Sequence, residues 1–214
     1  MRKTIIIACY DEIVKTIIKK CVLEIKSTAF FIECKYEKDV FKAMGNNENF
    51  VVFFDKYFLG YSIENTLLRM ERLKKNGLIC FCECDKCSVY FGLRIREHKA
   101  DCFISEIEKN AHLKVELNKV LNGLRTFPEE VFMAVEDGTA RRERKYFTEP
   151  TRQEMRVAMF LGQGLSEKEI AYELRIKPQA VYIHVGRVRR KVGYKNAIDF
   201  AILYRRNLFL GGDD

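Results

Sequence analysis

The last third of the chain holds the residues with the plainest chemistry. Gln179, Ile183, Arg187 and Arg190 recur at helical spacing, with Tyr182 and Arg189 to one side. Val181, Val185, Val188 and Val192 fall in a narrow arc on the opposite face. A helix patterned this way packs its valines on a core and leaves guanidinium groups outward. Outward arginines suit a polyanion, because they reach phosphate oxygens or the acceptor edge of guanine in a major groove. Cysteine is the other reactive type. Cys80, Cys82, Cys84 and Cys87 lie close enough together to resemble a metal site or a thiol switch. Strand alternation, however, points Cys80 and Cys82 to one buried face, and no second Cys-x-x-Cys follows at zinc-finger spacing. Free cysteine is also a common core residue. Core thiols are therefore the expectation, with no cofactor and no bound metal, and a metal- or thiol-sensing regulator is the alternative.

The elements that must hold the basic helix are written around it. Thr151 with Glu154, and Ser166 with Glu169, form two Thr/Ser-x-x-Glu capping boxes, each opening a short amphipathic helix. Gly162-Gln163-Gly164 stops the first of these, and Arg175-Ile176-Lys177 turns into Pro178, which suits the first position of the basic helix. A fourth helix is expected from about Asn196, with Ile198, Ala201, Ile202 and Leu203 apolar.

Residues 1–123 read differently. Thr4 to Cys9, Ala29 to Cys34, Phe50 to Phe54, Leu78 to Cys82 and Asp101 to Ile104 are short apolar runs, and helix-period stretches separate them. Runs without polar alternation fit strands buried on both faces, and five of them alternating with helices predict a doubly wound parallel sheet. Gly123 is a natural helix stop. Residues 124–147, with Thr126-Phe127-Pro128, Asp137-Gly138 and the basic run Arg141 to Lys145, read as a linker with a helical turn or two around Glu129 to Val135. A DNA-binding domain is expected over 148–210.

Composition narrows the class. The chain has 214 residues, 48% of them hydrophobic, and a net charge of +8, which is compatible with a polyanionic partner. No apolar run approaches a bilayer span, and the apolar start is too short for a signal-peptide core before Asp11 and Glu12 follow. A cytoplasmic location, no membrane partner and reduced thiols are expected. No Gly-rich phosphate loop or nucleophile–base pairing stands at informative spacing, so an enzyme is not expected.

Gly164-Leu165-Ser166-Glu167-Lys168-Glu169-Ile170-Ala171, then Leu174 and Ile176, then Val181, His184, Val188 and Lys191-Val192-Gly193, resemble the LuxR/FixJ/NarL-type helix-turn-helix. The resemblance implies a recognition helix over 178–192 with Lys191 at a phosphate. The family's polar cap before that helix is Lys177 here, and its usual Thr and Lys early in the helix are Ala180 and Tyr182. The residues implied at DNA are thus Lys177, Gln179, Ala180, Tyr182, Ile183, Arg187, Arg190 and Lys191.

The N-terminal pattern, through Lys99-Ala100-Asp101-Cys102-Phe103-Ile104, resembles a response-regulator receiver domain of flavodoxin-like topology. That resemblance implies a phospho-acceptor at Asp55. It also implies an acidic Mg²⁺-binding pair, a hydroxyl residue and a lysine at positions that here carry Cys9 and Tyr10, Cys82 (or Glu83), and Glu106. A glutamate in place of the lysine repels a phosphoryl group. Asp11 and Glu12, in the adjoining loop, remain as metal ligands by a shifted route. The expectation is an atypical, dimeric transcription regulator that binds double-stranded DNA without ordinary aspartyl phosphorylation, with RNA polymerase a further partner and a sensor kinase left open. The alternative within the class is a conventional regulator phosphorylated at Asp55.

Overall fold

The computed structural model describes residues 3–59, 63–84, 89–136, 150–192 and 199–202. Five strands, β1 (Thr4–Ala8), β2 (Phe30–Glu33), β3 (Phe50–Phe54), β4 (Leu78–Cys82) and β5 (Cys102–Ile104), form one parallel sheet in the order β2-β1-β3-β4-β5. The pairing is in register from Thr4 opposite Phe30 and Phe50 to Cys80 opposite Cys102. Every residue of β1, β3 and β5 is buried, which is why their sequences are apolar without alternation. The edge strand β2 has water beside it and leaves Phe30 and Glu33 exposed.

Helices cover both faces. On one lie α2 (Glu37–Asn46), α4 (Ile63–Leu73) and α5 (Val89–Glu97), whose Val40, Met44, Leu67, Met70, Phe91 and Ile95 pack on Val52, Phe54 and Phe81. On the other lie α1 (Glu12–Ile25) and α6 (Leu113–Leu121), with Val14, Ile18, Val22, Leu117 and Val120 against Ile5, Val51 and Phe53. A one-turn α3 (Lys56–Leu59) follows β3 directly. The cysteines sort by strand alternation: Cys9, Cys80, Cys82 and Cys102 share the second face, and Cys34 belongs to the first.

The linker stretch contains a formed helix, α7 (Glu129–Glu136), whose Val131 and Ala134 pack on Leu93 of α5. The basic run Arg141 to Lys145 lies outside the described residues, as do Cys87 and Asn196 to Ile198. Beyond it stand α8 (Arg152–Gly162), α9 (Glu167–Leu174) and α10 (Pro178–Val192). Both capping boxes form: Thr151 and Ser166 accept the amides of Glu154 and Glu169, whose carboxylates accept the Thr151 and Ser166 amides. Val157, Ile170, Leu174, Val181 and Val185 make the small core. The turn before α10 places Arg175 in the left-handed region at φ 52°, a conformation that costs an ordinary side chain about 1 kcal/mol and that closes helix α9 sharply.

Candidate nucleic-acid interface and the C-terminal end of the sheet

Helix α10 presents the predicted face. Lys177, Gln179, Arg187, Arg189 and Arg190 are exposed, Ala180 is half-buried, and Tyr182 and Ile183 retain 71% and 51% of their accessible surface. An aromatic and an isoleucine so exposed gain nothing from the fold itself, which is what a contact surface looks like before its partner arrives. Arg189 and Arg190 also sit in the last turn, where cations complement the helix dipole.

Lys191 is different, and here the structure corrects the expectation of a phosphate contact. It is 6% exposed, and its Nζ donates to Glu154 Oε2 at 2.9 Å. Glu154, 2% exposed, also accepts the Thr151 amide at 2.8 Å. Burial pushes the Glu154 carboxyl up, but the hydrogen bonds from Lys191 and Thr151 and the Lys191 charge outweigh it and hold it below the usual carboxylate range. The position that the resemblance assigned to a phosphate thus carries a buried ion pair between α8 and α10.

At the opposite domain, Asp55 closes β3 and is 2% exposed. Its Oδ2 accepts the Asp11 amide and its Oδ1 the Phe58 amide, each at 2.7 Å. Both carboxylate oxygens are therefore engaged by backbone donors. Of the two residues at which the resemblance implies a Mg²⁺ pair, the Cys9 thiol donates to the Phe53 carbonyl and the Tyr10 hydroxyl to the Lys35 carbonyl. Burial, then the Asp55 charge, push the Cys9 thiol well above its ordinary range. Asp11 spends its side chain capping α1 through the amides of Ile13 and Val14, and Glu12 pairs with Lys15. Among the described residues no group of three or more His, Cys, Asp or Glu is placed to hold a metal ion. Cys82 is fully buried, and Glu106 is half-buried at φ 53°.

Several residues that the sequence did not single out complete this end. Lys56, 5% exposed, lies between two carboxylates, 3.4 Å from Glu83 and 3.5 Å from Asp199. Tyr57 donates its hydroxyl to Asp199 Oδ1 at 2.5 Å. Asp199 belongs to the helical domain, so this cluster crosses between domains. Arg94 of α5, fully buried, donates to the Lys191 carbonyl at the C-terminal end of α10. A guanidinium there satisfies a terminal carbonyl and complements the dipole. The sequence carried one signal for it, an arginine amid the buried residues of α5.

Comparison with known proteins agrees with this geometry. Residues 151–204 match the family model for bacterial regulatory proteins, luxR family. Over 51 residues the chain is 39% identical to the transcriptional regulatory protein UhpA of Escherichia coli K12, and equally to that of Salmonella typhimurium; the match covers 24% of this chain. It spans about a quarter of the relatives' length, 26%. The fold as a whole resembles RcsB from Salmonella enterica serovar Typhimurium, solved bound to a promoter with a BeF3- phosphomimetic: TM-score 0.52 and 17% identity over 96% of this chain and 98% of that one. The chain therefore carries a five-stranded parallel sheet of receiver-like fold followed by a segment, 151–204, that matches the LuxR-family model. Among the described residues no helix is long and apolar enough to cross a membrane.

Proposed function

We propose that this chain is a sequence-specific transcription regulator that binds double-stranded DNA through α10, as a homodimer, without depending on Mg²⁺-assisted phosphorylation of Asp55. The observation that carries the DNA reading is the exposed face of Gln179, Tyr182, Ile183, Arg187 and Arg190 on a helix that buries Val181, Val185 and Val188 on its other side. A helix of this size fits a major groove, with arginines at phosphates or guanine edges and Ile183 against thymine methyls. One module spans one half-site, so two-fold pairing doubles the contacts. The functional units are 1–123, 124–147 and 148–210. RNA polymerase is a further partner on this reading, and the location is cytoplasmic.

Independence from phosphorylation is supported by Asp55 itself. An acceptor must attack in-line with a metal neutralising the incoming charge. Here both oxygens are tied to amides, Cys9 and Tyr10 stand where the resemblance implies the metal pair, and Glu106 stands where it implies a lysine.

The direct test is a salt series with duplex DNA. Arg187→Ala and Arg190→Ala should weaken binding and flatten the slope of log K against log salt by about one each where the arginine meets a phosphate. Equal affinity for wild type and both variants would remove that face from the interface. Intact mass after acetyl phosphate and Mg²⁺, with Asp55→Ala as control, tests the second statement; an adduct lost in the control overturns it.

A further inference from the structure

The chemistry of the acceptor end is unusual in where it stops. Lys56 follows Asp55 directly, and a lysine with its ammonium this deeply buried needs anions close by. Those anions come from two domains: Glu83, at the end of β4, and Asp199, from the helical domain. All three side chains are at most 6% exposed, so solvent screens them little. The Tyr57 hydroxyl adds a short hydrogen bond to the same Asp199 oxygen. A second fastening lies nearby, where Arg94 holds the terminal carbonyl of α10 at Lys191. Phe200, next to Asp199, is 1% exposed and packs with Ala158 and Val188. Displacing Asp199 therefore pulls on the core that supports α10.

Neither fastening touches the reading face. Tyr182, Ile183 and Arg187 stay exposed while the receiver grips the far end of the same helix and the segment after it.

We propose that the acceptor end of the receiver is a docking site whose ligand is the carboxylate of Asp199, and that this latch fixes the DNA-binding domain in an orientation that leaves α10 open to DNA. The part concerning DNA rests on the function proposed above; the latch does not. In a conventional switch the charge that arrives next to the acceptor is a phosphoryl group. Here the carboxylate of the partner domain is built in, and it sits where Lys56 neutralises it. The two domains then act as one body, and binding DNA requires no release.

The experiment measures the distance between spin labels on exposed sites of the two domains, in the full chain, alongside affinity for a mixed-sequence DNA duplex. Asp199→Asn removes the charge at nearly constant volume. The expected result is a narrow distance distribution in the wild type and a broad, longer one in the variant, with DNA affinity reduced threefold to tenfold. The charge-exchanged double variant Lys56→Glu with Asp199→Lys, in which the new lysine can pair with Glu83 and the new glutamate, should restore the narrow distribution; this separates a latch from a folding defect. Identical distributions for wild type and Asp199→Asn overturn the latch. A broadened distribution with tighter DNA binding overturns the open orientation, because docking would then be inhibitory. A narrow wild-type distribution in a protein that binds no duplex refutes the DNA function and the open-orientation claim together, and leaves the latch standing.

Discussion

Replacing Lys191 by methionine separates two roles that one helical position could have. As a phosphate contact, Lys191 would contribute a counterion-release term and little to the fold. As the structure has it, the ammonium lies 2.9 Å from a carboxylate, with side-chain exposures of 7% and 2%. At an effective dielectric constant near 20, that separation corresponds to roughly 6 kcal/mol of gross attraction, much of it offset by desolvation. Breaking such a pair on one side leaves Glu154 buried and uncompensated, at a cost of about 3–5 kcal/mol. Hydrogen exchange of the full chain, followed by mass spectrometry on peptides from α8 to α10, reads this directly. Amides of those helices should exchange roughly a hundredfold to several thousandfold faster, up to the limit set by global unfolding. The double variant Glu154→Met with Lys191→Met should recover part of the loss, since two packed methionines leave no buried charge; the capping contact to Thr151 stays lost, at about 1 kcal/mol. If Lys191→Met leaves exchange within about threefold of wild type and instead lowers the salt slope of DNA binding by about one, the ion-pair reasoning is refuted and the phosphate contact restored.

The same pair sets an acid limit. Because the Glu154 carboxyl is held below its ordinary range when folded, its contribution is complete above the unfolded pKa and disappears as pH falls through the lowered folded value; acid titration by circular dichroism should show the Glu154→Gln variant losing less stability than wild type over that interval. Gly77→Ala would put a methyl carbon 2.3 Å from the Phe50 ring, so it should destabilise the sheet domain by about 1–3 kcal/mol in urea denaturation. Iodoacetamide at pH 8 should leave Cys34 almost unlabelled in the native state, since burial, with Asp39 nearby, pushes its thiol up to about 11; labelling as fast as in urea would show that this part of the core opens readily.

What could be read from the sequence follows the range of the interactions involved. The strands were legible because β1 and β3 are buried on both faces, and so is the chain's composition there. The capping boxes of α8 and α9 were legible because Thr151 and Ser166 meet partners three residues on. The exposed arc of α10 follows from the valine arc opposite. Lys191 was placed at a phosphate by resemblance alone, and its partner, 37 residues earlier on another helix, leaves no mark in the local spacing. The docking cluster was invisible for the same reason at greater range: Tyr57 and Asp199 are 142 residues apart, and nothing near either one announces the other. Helix α7, eight residues long, is the turn or two that the sequence suggested, but its packing on Leu93 of a different helix was not readable there.

The thiols on the second face of the sheet carry a consequence for how long the protein survives. Cys9, Cys80, Cys82 and Cys102 are all buried, with Cys80 and Cys82 sulfurs 4.0 Å apart. While the sheet stays closed, oxidants and other thiols do not reach them. Once it opens, the same sulfurs are close neighbours in a flexible chain of eight cysteines, and crosslinking competes with refolding. In air the lifetime of this protein therefore follows the fraction of time the sheet spends open, since reclosing outpaces slow thiol oxidation. A reductant should lengthen its useful life without changing a single native contact.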